Sequence, residues 1–433
     1  MSAVLDAIAG GRGLVVAGLV ASLPGTTFRA ARSAYTSVAG GHFAEKVLNW
    51  GRMTYSISDR GGVPPSVSLT VRVADEDRTL ARIYEGARRD EIRGSAATVY
   101  LMTPSVAYNT EAVFVGVVSK LSFPAPFEAE FTLRTNDDQM QRLSPVGGWI
   151  PNRVTWPRAK AEFFDSVSPI LAGTHDASYT QSGPGLVKCH LVDMVVSVYL
   201  VCAGRAKSIT RVYVDGAQTS ASNYTDSYST VGGREYTIIT FTSSAPTESQ
   251  EVTCDAEGYE SVGDGSGSVV TNPASQWAMR LSNFVLADYS SGSWLSTHAL
   301  IDSTYLSAAE SYFTSLGARA STSEDQKRTG NDVTAAYCKS FQMRSFWTRG
   351  GKIAMRYENI FSAPYGGYRL RWYRDELGAF NLVEDDYQVM SRIAVRSTRS
   401  ASQDAYLASI EFVDASVSSE TQDSLDLEMG EAV

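Results

Sequence analysis

The chain has 433 residues, 43% apolar and 20% charged, enough apolar surface for large cores and too much for a globally disordered chain. Its net charge of −9 sits mostly at one end: eight acids and no Lys or Arg follow Arg399, leaving −1 for everything before. The densest basic run, Arg88-Arg89 to Arg93, is broken by Asp90-Glu91, so no basic stripe is available to neutralise phosphates, and nucleic-acid binding by the body is not expected.

Length favours two to four domains of roughly 100–200 residues each. Abundant Tyr (22) and Gly (35) favour a β-rich architecture with many turns. At the N-terminal end, Leu14–Val20 has some look of a secretory apolar region. However, Asp6 precedes it, no A-x-A site follows, and it is far short of the ~20 residues that span a bilayer, so it reads as a strand.

Residues 1–145 read as an all-β, barrel-like domain. Its strands are expected at Leu14–Ser22, Lys46–Ser58, Ser66–Ala74, Ala97–Thr103, Ala112–Leu121 and Ala129–Arg134, separated by turns such as Leu23-Pro24-Gly25 and Gly61-Gly62. Asp77–Gly86 has the pattern of a helical turn closed by Gly86.

Residues 146–206 form a joint stiffened by Pro145, Pro151, Pro157 and Pro169. It holds a short helix at Arg158–Asp165 and strands at Leu186–Val192 and Val195–Val201. Residues 207–272 form a hairpin domain. Ile209–Val214 alternates, Asp215-Gly216 supplies the turn, and further strands follow at Glu235–Phe241 and Glu251–Ala256. The Asp264–Ser268 run reads as a flexible linker; it lacks the spaced acids of a calcium loop.

At Asn272-Pro273 the period changes from 2 to 3.6. An N-cap residue and a first-turn Pro precede Trp277, Leu281, Phe284 and Val285, which share one helical face over 273–288. A helical subdomain is thus expected over 273–360. Its second helix runs from Thr304 to Leu316 with Leu306, Ala309, Phe313 and Leu316 inward, and its third runs from about Asn331 past Phe346 to a Gly350-Gly351 turn and a strand. Residues 361–416 read as a β segment returning to the core, with strands at Arg369–Tyr373, Ser391–Ser397 and Tyr406–Phe412. Residues 417–433 form an acidic tail, read as solvated and frayed or, more pointedly, as docking on a basic partner surface. The fold class is therefore mainly β with a helical insertion.

Few residues carry chemistry. Cys189, Cys202, Cys254 and Cys338 have no C-x-x-C spacing. With His190 they would hold zinc or an iron–sulfur cluster only if the fold brought them together, and buried free thiols are the simpler reading. His175-Asp176 reads as a solvated loop, and His42 and His298 have no partner at motif spacing. No G-x-S-x-G, H-E-x-x-H or P-loop occurs, and Glu384-Asp385-Asp386 reads as a solvated turn.

The order of short motifs resembles the tail hub (baseplate hub or tail tip) proteins of long-tailed bacteriophages. Ala112–Val118 resembles that family's vFvGrV strand, and Leu133–Asp138 the element after it. Trp156–Ala159 with Ser168–Gly173 resembles its proline joint, Arg211–Gly216 its V-y-dG hairpin, Val269–Ala274 its lead-in to the helical part, and Phe346–Met355 its helix–GG–strand ending. Relatives carry a neighbouring Tyr and Val that the Pro169–Gly173 segment lacks, and the acidic tail and extreme N-terminus have no equivalent.

The resemblance implies a structural virion protein without enzymatic activity or cofactor. It would form a ring, usually a homotrimer, at the distal end of the tail. Its expected neighbours are the distal tail protein, the tape-measure protein and the central tip and fibre proteins, with DNA passing the lumen unbound. It would be assembled in the bacterial host cytoplasm and located at the virion tail tip. The alternative is a carbohydrate- or host-surface-binding β protein, with or without hydrolytic activity, using Trp149, Trp156, Trp294, Trp347 and Trp372 as stacking platforms.

Overall fold

In the computed structural model the described residues are 16–36, 41–53, 64, 66–86, 89–102, 107–141, 143–144, 151–176, 185–264, 266–287, 297–324, 326–341, 343–357, 392–400 and 405–413. The fold is mainly β with a helical insertion.

The first nine strands are β1 (Val16–Leu23), β2 (Thr26–Ala31), β3 (Tyr35–Thr36), β4 (His42–Glu45), β5 (Val47–Trp50), β6 (Ser68–Ala74), β7 (Ala96–Met102), β8 (Glu111–Ala125) and β9 (Glu128–Arg134). Their order is β3-β4-β2-β1-β7-β8-β9-β6-β5. Because β4 and β5 are one run of chain broken only at Lys46, this sheet closes on itself. β4 pairs β2 in parallel, β5 pairs β6 antiparallel, and Lys46 bridges them. Its N–H donates to Ala31 O at 3.1 Å and its carbonyl accepts from Ala74 N at 2.7 Å. The nine strands thus leave no open edge along that seam.

Strict alternation fills its interior: Leu69, Val71 and Val73 on β6 and Ala129, Phe131 and Leu133 on β9 point inward, with Phe28 and Phe131 rings 5.5 Å apart. Where β8 crosses β9, only glycine fits at 116, since a Cβ there would lie 2.1 Å from Arg134 O. Helix α1 (Thr79–Gly86) starts on the buried Asp75 carboxylate, which accepts from Leu80 N and Ala81 N at 2.9 Å each, and sends Leu80 into the core.

The middle of the chain contributes β10 (Leu143–Ser144), β11 (Ile170–Ala172), β12 (Thr174–His175), β13 (Val187–Lys188), β14 (His190–Asp193), β15 (Val198–Ala203), β16 (Ala206–Val214), β17 (Ala217–Gln218), β18 (Tyr224–Val231), β19 (Arg234–Phe241) and β20 (Val252–Tyr259). One sheet runs β12-β20-β16-β17 with β13 also on β20, the other β14-β15-β19-β18. They enclose a core of Leu171, Val201, Val212, Ile239 and the thiols of Cys189, Cys202 and Cys254. The Asp215-Gly216 turn forms as expected, both residues at positive φ (49° and 80°). The far face of the second sheet builds another core with Trp156, Phe163, Tyr236 and Phe284.

The helices are α2 (Arg89–Ile92), α3 (Pro273–Phe284), α4 (Ser303–Ser315) and α5 (Gly330–Ser340), with β21 (Thr322–Glu324), β22 (Arg328–Thr329), β23 (Met343–Trp347) and β24 (Ile353–Tyr357) among them. Helix α3 begins where the sequence places it. Asn272 Oδ1 accepts from Ala274 N and Ser275 N, and every residue but Ser275 is buried. Trp277 and Leu281 enter the barrel's core, while Met279 and Phe284 enter that of the second sheet. One helix thus stitches the two β units together. The backbone hairpin of β25 (Arg392–Ser400) and β26 (Ala405–Val413) lies beside β21.

Several expectations need correction. The first helix ends at Phe284, short of 288. Leu316 caps α4 and is 58% exposed, so it is not on the inward face. The third helix stops at Ser340, and Phe346 lies in β23. The ending is therefore strand, Gly350-Gly351 turn, strand, because 343–347 alternate with period two: Met343, Ser345 and Trp347 are buried and Arg344 and Phe346 half-buried. At Arg158–Asp165 only a 3-10 turn forms, at Ala161–Asp165, and Leu186–Val192 is split into β13 and β14. The described part of the Asp264–Ser268 run is hydrogen-bonded back to Glu260 and Ser261 rather than forming a loose linker. Buried Glu260 accepts from Val262 N and from Gly267 N, and Ser261 N donates to Ser268 O. The strand at Arg369–Tyr373, the Glu384–Asp386 turn and the 417–433 tail lie outside the described residues.

Candidate functional site

The surface feature with the clearest construction is an apolar cleft of about 400 Å³ on the second sheet, lined by Trp156, Pro157, Val192, Val198, Val231 and Ile238, with Arg158, Asp193 and Ser229 at its rim. Two side-chain-capped turns build its lip. Asn152 Oδ1 accepts from Val154 N (2.9 Å) and Thr155 N (3.0 Å), and Asp193 Oδ1 accepts from Val195 N (2.9 Å) and Val196 N (3.3 Å). Each turn presents apolar side chains to solvent: Val154 is 91% exposed, Val195 71% and Val196 52%.

The lip is held as one piece, since Met194 N donates to Arg158 O at 3.2 Å and the Arg158 guanidinium stands 3.6 Å from Asp193. Beneath it, Trp156 meets Tyr236 edge-on at 5.2 Å and Phe163 at 6.2 Å, and burial pushes the Tyr236 hydroxyl up to about 12. The floor is therefore rigid and un-ionised, the surface is apolar, and the charges sit at the rim. That composition suits a protein partner rather than a reacting small molecule.

A second constellation ties the units together. Arg280 on α3 donates to Glu324 of β21 at 2.7 Å, both buried, and Arg328 Nε reaches the other carboxylate oxygen at 3.2 Å. Beside them Gln276 Nε2 donates to Val270 O and Ala320 O, and Thr322 Oγ1 bonds both Gln276 and the Tyr337 hydroxyl. His175 lies nearby on β12 and is buried; its ring nitrogen is 3.2 Å from Ala172 O, and burial lowers its pKa to about 4. The expectation of a solvated His175 loop is thus wrong: β12 pairs with β20 and brings the ring into the seam between sheets.

The metal candidates do not converge as a set. Cys189, Cys202 and Cys254 share one apolar core, where burial pushes the Cys202 thiol up to about 12, and the hydrogen bond with Cys189, followed by burial, raises Cys254. Thiols held protonated are poor ligands. His190 faces out of that core with its ring 5.3 Å from Phe163, and Cys338 lies in the barrel's core with its sulfur 3.6 Å from Met355. Among the described residues no group of three His, Cys, Asp or Glu is placed to hold a metal ion. Of the aromatic platforms for sugar, Trp347 is buried, and Trp156 is 8% exposed in the cleft. Trp149, Trp294 and Trp372 lie outside the described residues. The cleft and the β18 edge were missed in the sequence. The only signal was the consecutive apolar Met194-Val195-Val196 after a turn-forming Asp.

No family model matches the chain, and no curated protein matches it. Among solved structures, a chain of the virion of a native gene transfer agent particle is similar at a TM-score of 0.26 and 13% identity, over 59% of this chain and 84% of that one. No helix among the described residues is long and apolar enough to cross a membrane.

Proposed function

We propose that this chain is a structural virion protein, the hub ring at the distal end of a phage tail. There it links the tail tube to the tip and fibres and closes the DNA channel until ejection. What carries the reading is that its family-like motifs fall where the fold needs them. Phe114 is a barrel core residue and Gly116 the close crossing of β8 over β9. Arg134 holds Asp138 at the end of β9, and Pro169–Gly173 ends in a positive-φ glycine (83°) packed against Ala320 O. Asp215-Gly216 makes the hairpin, and Asn272-Pro273 caps the helix that joins both cores. The helix–GG–strand ending is the one motif that takes another form here, strand–GG–strand.

The chemistry this role requires is slight: closed β units, an ordered apolar contact face and an internal seam. No enzymatic activity and no cofactor belong to the proposal. Ring closure into a homotrimer uses a heterologous contact, for which the cleft and its valine lip supply one half. The neighbours are the distal tail, tape-measure and central tip or fibre proteins, and the site of action is the virion tail tip after assembly in the bacterial host cytoplasm. Light scattering on the purified chain tests the ring directly. A species near three times 46.8 kDa, with a central hole in negative stain, is expected. A sharp two-fold dimer without a lumen contradicts it.

A further inference from the structure

The hairpin joining β8 to β9 ends in an apolar tip, Phe123-Pro124-Ala125-Pro126-Phe127, in which both phenylalanines and both prolines are exposed. Ala125 pairs with Glu128, so Pro126 and Phe127 are the two turn residues. Proline suits the first of these positions. The second, Phe127, sits at φ 62°, where glycine or asparagine is ordinarily found. A bulky side chain there is strained, and burial within the chain does not offset the strain, because Phe127 is 60% exposed. The turn is braced from both sides. Asp75 N donates to Phe127 O at 2.6 Å, and one extra residue on β8 between Ser122 and Ala125 sets Phe123 edge-on to Tyr84 of α1 at 5.4 Å. Phe127 is thus displayed at the end of a rigid hairpin.

The cleft on the second sheet has the converse shape, about 400 Å³ walled by Val198, Val231 and Ile238 with Trp156 among its lining. The two do not meet within one chain: none of the residues lining the cleft belongs to the nine-stranded sheet, and Phe127 stays exposed. Charge divides the same way among the described residues. At the base of the hairpin Glu128 and Glu130 share the Arg72 guanidinium, at 3.7 and 3.5 Å, two carboxylates to one cation. The lip of the cleft carries Arg153 and Arg158 against the carboxylate of Asp193, two cations to one, and the Arg158 side chain is 59% exposed.

We infer that the Phe127 tip of one copy of this chain docks in the cleft of a second copy, with the phenyl ring against Trp156 and Glu128 facing Arg158. The occupant is another copy because both halves of the contact are present on this chain, complementary in shape and in charge, and each is left uncovered by the other. An aromatic anchor entering a dry apolar pocket is the kind of contact that dominates an interface, and the charges at the rim set its orientation. A tip and a cleft at different places on one chain make a heterologous contact, which closes into a ring or runs on as a filament. The inference therefore supplies the other half of the contact in the hub reading, and it rests on that reading for closure of the ring.

Sedimentation velocity on the full chain tests this. Phe127→Gly removes the anchor at a φ that glycine takes without strain, and Ser229→Trp fills the cleft from its rim; both are expected to keep the parent's urea midpoint. Each variant alone should associate at least about thirtyfold more weakly than the parent, the loss expected of a buried aromatic anchor. Mixed, the two variants hold one intact tip and one intact cleft between them. The mixture should therefore give a one-to-one dimer that neither forms alone. Association unchanged in Phe127→Gly overturns the inference, and so does a mixture no more associated than its components. A trimer that persists in both variants overturns it while leaving the hub reading standing. Open chains of the parent that both variants abolish support the contact and contradict the closed ring. A parent still monomeric at about 0.1 mM overturns the inference, and Phe127-dependent binding of that monomer to phosphatidylglycerol vesicles would assign the tip to a membrane instead.

Discussion

Replacing Glu324 by Gln removes the one carboxylate among the described residues that pairs with Arg280 in the seam between the β units. The Arg280 side chain is 6% exposed and Glu324 8%, with the donor nitrogen 2.7 Å from the acceptor oxygen. A guanidinium left there without its counter-charge is a buried, uncompensated ion, which costs about 3–5 kcal/mol. In a thermal unfolding scan that corresponds to a fall of about 6–10 °C in the transition that reports the seam. The reverse change, Arg280→Met, costs less, because Glu324 keeps Arg328 at 3.2 Å and Arg328 is itself 36% exposed.

The double variant Arg280→Met/Glu324→Leu should return close to the parent. Among the described residues the Nε of Arg280 has no hydrogen-bond partner, so the ionic seam is imperfectly satisfied and an apolar replacement gives up little. The order Glu324→Gln worst, Arg280→Met intermediate and double variant nearly neutral is specific to a buried pair. If Glu324→Gln unfolds within about 0.5 kcal/mol of the parent, as an exposed pair would, the burial argument fails.

Other outcomes follow from single contacts. Gly116→Ala should destabilise the barrel by at least about 3 kcal/mol in urea titration, since the new Cβ meets Arg134 O at 2.1 Å and backbone must move. His175 is neutral when folded, its pKa near 4, but protonates near its ordinary value when unfolded. Stability should therefore fall as pH drops from about 6.5 to 4, and His175→Gln should flatten that slope, read as the urea midpoint against pH. Asp77 is held at about 2 mainly by the Lys46 hydrogen bond at 2.9 Å. That contribution is present above the ordinary aspartate pKa and lost as pH falls through 2, and Lys46→Met should return the Asp77 titration to near 4 in a carbon-13 NMR series. Thr329→Ala removes one half of the α5 capping box and should cost about 1 kcal/mol, leaving the other helices unchanged in amide exchange.

Local chemistry made much of this fold legible. Alternation marks β6 and β9, Asp215-Gly216 marks the hairpin, and Asn272-Pro273 marks the start of α3, because each is dictated by residues close in sequence. The elements that were missed draw their order from elsewhere. Strand β18 reads Tyr-Thr-Asp-Ser-Tyr-Ser-Thr-Val and shows no apolar alternation, since it is an edge strand held by its ladder with β19 rather than by burial. The barrel closes through Lys46, whose two bonds reach Ala31 and Ala74, a long-range event that no local pattern signals. His175 looked solvated between Thr174 and Asp176 because its burial depends on β20, some eighty positions on. The cleft was illegible for a similar reason: Trp156, Val192 and Val231 are far apart in sequence and line one cleft only once the second sheet is folded.

The central claim, a hub at the tail's distal end, is tested most directly by location. Antibody against this chain, coupled to gold, is applied to particles purified from producing cells and imaged by electron microscopy. The account predicts label at the distal tip of the tail, at one position per particle. Label along the tail, on the head, or only on material free of particles contradicts it.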